Sequence, residues 1–258
     1  MKRYHGYWIA FQTIVVKEIV RFMRIWIQTI LPAAVTTALY FIIFGTLIGE
    51  RIGEMDGHSY IDFIVPGLIL MAVITNSYAN VVSSFFSSKF QRHIEELLIS
   101  PVPNWIIIVG YVGGGVARGI MVGIAVTLVS LFFTDLAIYS YGMTLLVLIL
   151  TSILFALGGL INAIFAKTFD DISIVPTFVL TPLTYLGGVF YSIKMLPEFW
   201  QHVSMGNPIL YMVNAFRYGL LGASDIPIGT ALIIILAFIS VLGVVSHYML
   251  ARGVGIKD

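Results

Sequence analysis

The sequence contains no cysteine, so neither a disulfide framework nor a thiolate metal site can hold this chain together. Charge is almost as scarce. Only 10% of the 258 residues are Asp, Glu, Lys or Arg, against roughly 25% in an ordinary soluble domain. A surface this poor in charge does not stay in water. Catalytic signatures are missing too. No Gly-x-x-x-x-Gly-Lys-Ser/Thr loop is present to cradle nucleotide phosphates, and neither His-Glu-x-x-His nor Gly-x-Ser-x-Gly occurs. His5, His58, His93, His202 and His247 are scattered without ligand spacing. No catalytic residue, metal ligand or cofactor is therefore expected in this chain. The N-terminus reads Met-Lys-Arg before turning apolar, as a signal peptide would. Lys17, Glu18, Arg21 and Arg24 interrupt the run and no small-x-small cleavage site follows, so the segment is expected to remain in the mature protein.

What is abundant is apolar length: 59% of the residues are hydrophobic. A spanning helix needs about 20 apolar residues, at about 1.5 Å rise each across about 30 Å of hydrocarbon. Stretches free or nearly free of charge give six expected spans, at about 25–49, 61–85, 106–133, 142–166, 172–193 and 228–250. No alternation of strand length suggests a barrel. The expected fold is an all-α membrane protein, with residues 1–24 forming an amphipathic interfacial helix and residues 25–253 the transmembrane domain.

Lys and Arg placement sets the expected orientation. With the N-terminus inside, the inner segments hold Lys2, Arg3, Lys17, Arg21, Arg24, Lys89, Arg92, Lys167, Arg252 and Lys257. The outer loops hold only Arg51, Lys194 and Arg217. Both termini are therefore expected in the cytoplasm.

Two segments fit neither span nor loop. Between Tyr4 and Gln28, the residues Lys17, Arg21, Arg24 and Gln28 recur on one helical face, while Trp8, Phe11, Ile19, Phe22 and Trp26 cover much of the rest. That pattern suits a helix lying in the interface with its basic groups toward anionic headgroups; the alternative is a ragged start to the first span. Pro197 to Leu221 is apolar enough to enter the membrane, yet Asn207, Pro208 and Asn214 interrupt it. The expectation is an outer re-entrant hairpin before the last helix, tolerated where protein or water satisfies its backbone. A structured external loop is the alternative.

Polar groups within the spans are few. Asp62, Asp135, Asp170 and Asp171 fall at span ends, which deprives an ion-coupled carrier of its usual carboxylate. Arg118 alone lies deep within a span. It either lines a polar interior or snorkels toward the cytoplasm. Asn76, Asn80, Ser83 and Ser87 form a stripe along one face of the second span. Two readings are open: Asn76, Asn80 and Arg118 line a polar pathway, or the stripe bonds a neighbouring helix. Gly115, Gly119 and Gly123 form successive Gly-x-x-x-Gly steps, expected to serve close helix packing, with a dimer seam as the lesser reading.

The loop between spans two and three is the most informative. From Lys89 to Ile99 it reads as a short amphipathic helix, stopped by Pro101 and Pro103. Ile94, Leu97 and Leu98 share an apolar face bordered by Arg92, Glu95 and Glu96, which suits docking in a partner's groove. Here the chain resembles a family. Ile94-Glu95-Glu96-Leu97-Leu98, followed by Ser100-Pro101-Val102, looks like the coupling segment of type-2 ABC export permeases. The stretch Leu196-Pro-Glu-Phe-Trp, then Asn207-Pro208-Ile-Leu-Tyr211 to Phe216-Arg217, resembles the same family's motif before the last span.

The resemblance implies a permease subunit of an ATP-driven exporter moving a lipid, polymer or hydrophobic drug-like substrate across the bacterial inner membrane. It implies a second copy of this chain and two copies of a separate cytosolic ABC ATPase subunit, which would hold ATP and magnesium. Membrane lipid is the surrounding partner and no nucleic acid is expected. In that reading Glu95 through Val102 couple to the ATPase, and Asn207, Pro208, Tyr211 and Arg217 build the hairpin. The alternatives are a membrane-embedded lipid-modifying enzyme, which needs a catalytic site that the sequence does not offer, and an ion-coupled carrier.

Overall fold

The computed structural model describes residues 2–255. The side chains of Lys2 and Arg3, and Lys257 altogether, lie outside the described residues. Helix α1 (Lys2–Arg24) is separated from α2 (Trp26–Tyr40) by one residue, Ile25, whose backbone leaves the helical region at φ −115° and ψ 30°. This break falls at the boundary expected between interfacial helix and first span. α2 continues as a π-helix, Phe41–Ile48, and a last turn, α3 (Gly49–Ile52). A hairpin of two-residue strands follows, β1 (Glu54–Met55) against β2 (His58–Ser59). Its turn is Asp56-Gly57, both at positive φ (49° and 79°), as a two-residue hairpin loop demands.

Ser59 then caps α4 (Tyr60–Phe90) by accepting the N–H of Asp62. After a turn with Arg92 in the left-handed region come α5 (His93–Ile99) and α6 (Asn104–Ser130). Next is α7 (Tyr141–Phe165), capped by Ser140. The following run is α8 (Asp171–Val175), a π-helical turn Pro176–Leu180, and α9 (Thr181–Tyr185). α10 (Glu198–Met205), α11 (Pro208–Leu221) and α12 (Ile228–Arg252) complete the chain.

Among the described residues, five helical segments are long and apolar enough to cross a membrane: Trp26–Gly45, α4, α6, α7 and α12. The expected span at 172–193 is the one the structure shortens. Its helix runs from Asp171 only to Tyr185, fifteen residues, or about 22 Å against about 30 Å of hydrocarbon. The chain then turns at Gly187 and Gly188, the latter at φ +72°, a conformation that favours glycine.

α4 is the central helix; α6, α7 and α11 pack against it and α1 packs on α6. The glycines of α6 make that contact possible. A Cβ on Gly115 would stand 2.7 Å from a Val81 methyl of α4 and 2.9 Å from Ala156 of α7. Gly119 faces Ser77 and Ser152, and Gly123 faces Val73 and Leu148. The Gly-x-x-x-Gly steps are thus a seam inside one chain, as close helix packing predicts. Gly159 of α7 does the same from the other side, lying where a Cβ would be 2.6 Å from the Tyr78 carbonyl oxygen.

One end of the bundle gathers α5 and the C-termini of α4, α7 and α12. Lys89 donates to the terminal carbonyls of Ile164 and Ala166 at 2.6 and 2.7 Å, a cation at the negative end of a helix. Gly255 lies against the Ile164 carbonyl. The other end carries the β-hairpin and α10–α11. Asp62 is bridged there to Thr134 and Ser59. Since Gly159 meets backbone that cannot yield, Gly159→Val should lower stability by about 1–3 kcal/mol through overpacking. Gly158→Val is the control, because Gly158 has only the Tyr78 ring at 3.9 Å nearby. Thermal unfolding in detergent of the two variants checks this.

Candidate functional site

Three elements meet on the face of α4 that α6 and α7 leave uncovered. α4 forms a floor, α2 one wall, and the α8–α9 run the other. On the α2 side lies a cavity of about 350 Å³, lined among others by Gln28, Thr29, Thr36, Thr75, Asn76 and Arg118. On the α9 side a cavity of about 480 Å³ shares Met71, Thr75 and Ala79 with the first and continues to Ser83, Ser173 and Thr177. Together they form a groove with polar spots along an apolar surface. At the β-hairpin end aromatic rings close it. Tyr40, Phe44 and Tyr185 pack around Phe190 with ring centroids 4.9 to 5.9 Å apart, and the Tyr40 and Tyr185 hydroxyls meet at 3.5 Å.

The polar stripe of α4 is split between a cavity and a helix contact. Asn76 lines the cavity, and its Oδ1 accepts from Arg118 Nη2 at 3.0 Å and Nε at 3.3 Å. Arg118 thus lines a polar interior. Asn80 is fully buried and serves helix contact: its Oδ1 and backbone carbonyl accept from Arg21 Nη2 of α1 at 2.8 and 2.9 Å. Ser83 bonds back to the Ala79 carbonyl at 2.7 Å.

Arg21 corrects the expectation for α1. Its guanidinium points into the protein and not toward headgroups, and Lys17 lies 5.8 Å over the Tyr111 ring of α6. The reason is Glu18, which sequence reasoning passed over. Its carboxylate is fully buried, accepts from Ser84 Oγ at 2.6 Å and pairs with Arg21 at 3.2 Å. A buried carboxylate needs a cation, and Arg21, one turn along, supplies it. The stripe Ile14, Glu18 and Phe22 faces protein, leaving Trp8, Ile9, Val16 and Val20 outward.

α5 also turns the other way from expectation. Ile94 is buried in the chain's own core, with Leu97, Leu98 and Val102 packed against it. The apolar face expected to enter a partner's groove is occupied by this chain. Outward face Glu95, Glu96, Pro101 and Ile99, the last 85% exposed. Ser100 Oγ bonds the Leu97 carbonyl at 2.6 Å and ends the helix.

The residues expected in the hairpin come together. Asn207 caps α11 by accepting the Ile209 N–H at 3.0 Å, and its amide donates to the Leu183 carbonyl at 2.6 Å, tying α11 to α9. Pro208 occupies the first helical position, where its missing N–H costs nothing. Tyr211 donates to Met205 of α10. Arg217, counted above as a loop cation, is instead 1% exposed. It donates to the Gly188 carbonyl at 2.6 Å and stacks 3.8 Å over Phe63 of α4. Asp225 was missed. It accepts from Ser192 at 2.9 Å and from Lys194 at 3.0 Å, and its N–H donates to Asn214. A loop aspartate 33 residues from Ser192 and 11 from Asn214 leaves no periodic signal. Among the described residues, no three of His, Asp and Glu gather as a metal site would require.

Two outcomes follow from these ties. Glu18→Gln should cost about 1–3 kcal/mol. That is less than for a fully buried pair, because the Arg21 side chain keeps 30% exposure; differential scanning fluorimetry of the purified chain reads it. Lys194 is held above its ordinary 10.5 by the Asp225 carboxylate. A raised value means that its stabilisation is complete below the ordinary value and fades as the proton leaves. Lys194→Met should therefore melt lower than the parent at neutral pH, and the gap should close only as pH rises past 10.5.

Comparison with known proteins places these features. The profile described as ABC-2 type transporter matches residues 9–221. The chain is similar to the inner membrane transport permease YadH of Escherichia coli strain K12, with 60% identity over 254 residues, covering 98% of this chain and 99% of that protein. It is more distantly similar to nodulation protein J of Rhizobium meliloti strain 1021, 25% identical over 209 residues, 80% of this chain and 79% of the relative. With a family match over most of its length, the chain belongs to the ABC-2 type transporter family.

Proposed function

We propose that this chain is the transport permease subunit of an ATP-driven exporter in the bacterial inner membrane, with both termini in the cytoplasm. Two copies pair across the groove face. Two separate ATPase subunits bind at the α5 end and supply ATP hydrolysis with magnesium. The observation that carries this reading is the groove. Polar groups such as Asn76, Thr75 and Arg118 face a cavity within the spans and not the chain's own core. Polar surface turned to lipid is costly, so this face calls for a covering layer, which a second copy provides. The exposed apolar side chains of α2 (Leu31, Val35, Leu39) and of the α8–α9 run (Ile174, Phe178) border it. Orientation is supported by the cluster of Lys89, Arg92, Lys167 and Arg252 on the segments that gather at the α5 end.

In this reading substrate passes along the α4 floor, and the aromatic closure at Tyr40, Tyr185 and Phe190 marks the outer end. The hairpin α10–α11 lies in the outer leaflet. Coupling enters through the outward side of α5, by Glu95, Glu96, Ser100, Pro101 and Ile99, while Ile94, Leu97, Leu98 and Val102 anchor α5 to the bundle.

The test is co-purification with the ATPase. Glu95→Lys with Glu96→Lys, or Ile99→Asp, should weaken ATPase retention about tenfold or more without changing the melting temperature of the permease. Ile94→Asp should destabilise the permease itself. An ATPase retained through all of the outward substitutions would sink the coupling surface, and transport by the chain without any ATPase would sink the whole reading.

A further inference from the structure

Arg118 is the fifteenth of the 27 residues of α6, at mid-span. A cation at that depth is costly unless it is compensated. Its only hydrogen-bond partner among the described residues is the neutral Asn76 amide, reached through Nε and Nη2. The ion pairs found there are Arg21–Glu18 and Lys194–Asp225, and neither involves Arg118. Glu18 of α1, packed on α6, is already engaged by Arg21 and Ser84.

A second copy does not solve the problem. α2, α6, α7, α9, α11 and α12 contain no Asp or Glu, and the only acid in α4 is Asp62 in its first turn. Whatever face a partner copy offers at mid-span, it brings no free carboxylate. Neither this chain nor a second copy thus places a free carboxylate at mid-span, so a counter-charge for Arg118 would be a ligand's.

The surroundings say what kind. The 350 Å³ cavity falls within the roughly 300–1,000 Å³ of small-molecule sites. Arg118 Nη1 has no partner among the described residues, so half of the guanidinium fork is available to a ligand. Thr36 adds a hydroxyl, the Thr75 hydroxyl being donated to the Met71 carbonyl at 2.9 Å, whereas Leu68, Met71 and Ala33 give apolar wall. A fork of N–H donors beside a hydroxyl recognises an oxyanion, and the apolar wall within the spans suits a hydrocarbon chain. We propose that Arg118 holds the phosphate-type headgroup of an anionic amphiphile lying in the groove between α2 and α4. Read together with the proposed function, on which this step rests, it makes the transported class an anionic lipid-like molecule.

The test uses the full chain in phosphatidylcholine nanodiscs with trace photo-crosslinkable phosphatidylglycerol, or the same analogue of phosphatidylcholine. The phosphatidylglycerol probe should label peptides of α2 and α4. Arg118→Gln should cut that yield about tenfold, the scale of one charge-assisted hydrogen bond. Arg118→Lys should keep part of it, and phosphatidylcholine labelling should respond to neither. Because an uncompensated charge is removed, Arg118→Gln should melt no lower than the parent. In the unaltered chain, unlabelled phosphatidylglycerol should compete and unlabelled phosphatidylcholine should not, which needs no variant to fold. Equal labelling by both lipids, or labelling indifferent to Arg118→Gln, overturns the inference. Displacement by millimolar inorganic phosphate would mean a soluble anion and also overturns it. Loss of stability in Arg118→Gln would make the arginine structural and likewise end it. ATPase co-purification is read in parallel: labelling absent with the ATPase retained sinks this step alone, and labelling present with no ATPase sinks the transporter reading alone.

Discussion

Backbone-to-backbone closeness along α4 is the condition on which the rest of the molecule depends. Lipid tails are as apolar as leucine, so helices in a bilayer gain little from hydrophobic contact and associate through packing, hydrogen bonds and small residues. Gly115 and Gly119 of α6 and Gly159 of α7 let two helices lie directly on α4, beside Ser77 and the Tyr78 carbonyl. The same seams decide the site. They bring Arg118 of α6 within reach of Asn76, and they use up two sides of α4, so that the remaining side becomes the floor of a groove.

Much of this was legible in the sequence, for reasons that can be named. Charge-free length located α4, α6, α7 and α12, because hydrocarbon tolerates little else. The glycine spacing located the seam, since only glycine admits so close an approach. Asn207-Pro208 marked an interruption of the apolar run, which in the fold is the capped start of α11. What periodicity cannot supply is the identity of the surface opposite a face. It grouped Lys17, Arg21 and Arg24 correctly as neighbours but could not show Glu18 drawing Arg21 inward toward Asn80, 59 residues away. It grouped Ile94, Leu97 and Leu98 but could not say whether their hydrophobic neighbour was a partner or the chain itself. The short α8–α9 run was hidden for another reason: its apolar composition continues past Tyr185 to Ile193, while Gly187 and Gly188 turn the backbone.

Three arginines in the membrane region show how differently one side chain can be accommodated. Arg217 has a carbonyl, an aromatic face and a hairpin built around it. Arg21 has a carboxylate one turn away on its own helix. Arg21 is balanced by charge within the chain, whereas Arg217 is enclosed by neutral partners and keeps a buried Nε that has none. Arg118 has one neutral amide and a cavity. It is only partly buried, where Arg217 is 1% exposed, and its guanidinium lines that cavity. The structural cations are those whose partners the chain carries with it.

The walls and the floor of the groove also differ in kind. α4 runs for 31 residues as α-helix, held on two sides. Each wall contains a π-helical segment, Phe41–Ile48 beside the α2 wall and Pro176–Leu180 within the α8–α9 wall. Such wide turns are rare, because the i→i+5 bond fits the backbone less well, and they recur at functional sites. Thr181 helps hold the second by donating to the Pro176 carbonyl at 2.9 Å. Tyr40 directly precedes the first of these segments, and Tyr185, whose hydroxyl meets that of Tyr40 across the closed end, ends the short helix α9 that follows the second. The floor is thus regular α-helix from end to end, packed on two sides and tied to α5 through Ile94. The irregular hydrogen bonding lies within one wall and just past the end of the other, so the groove joins a regular base to sides that already depart from the α-helical pattern.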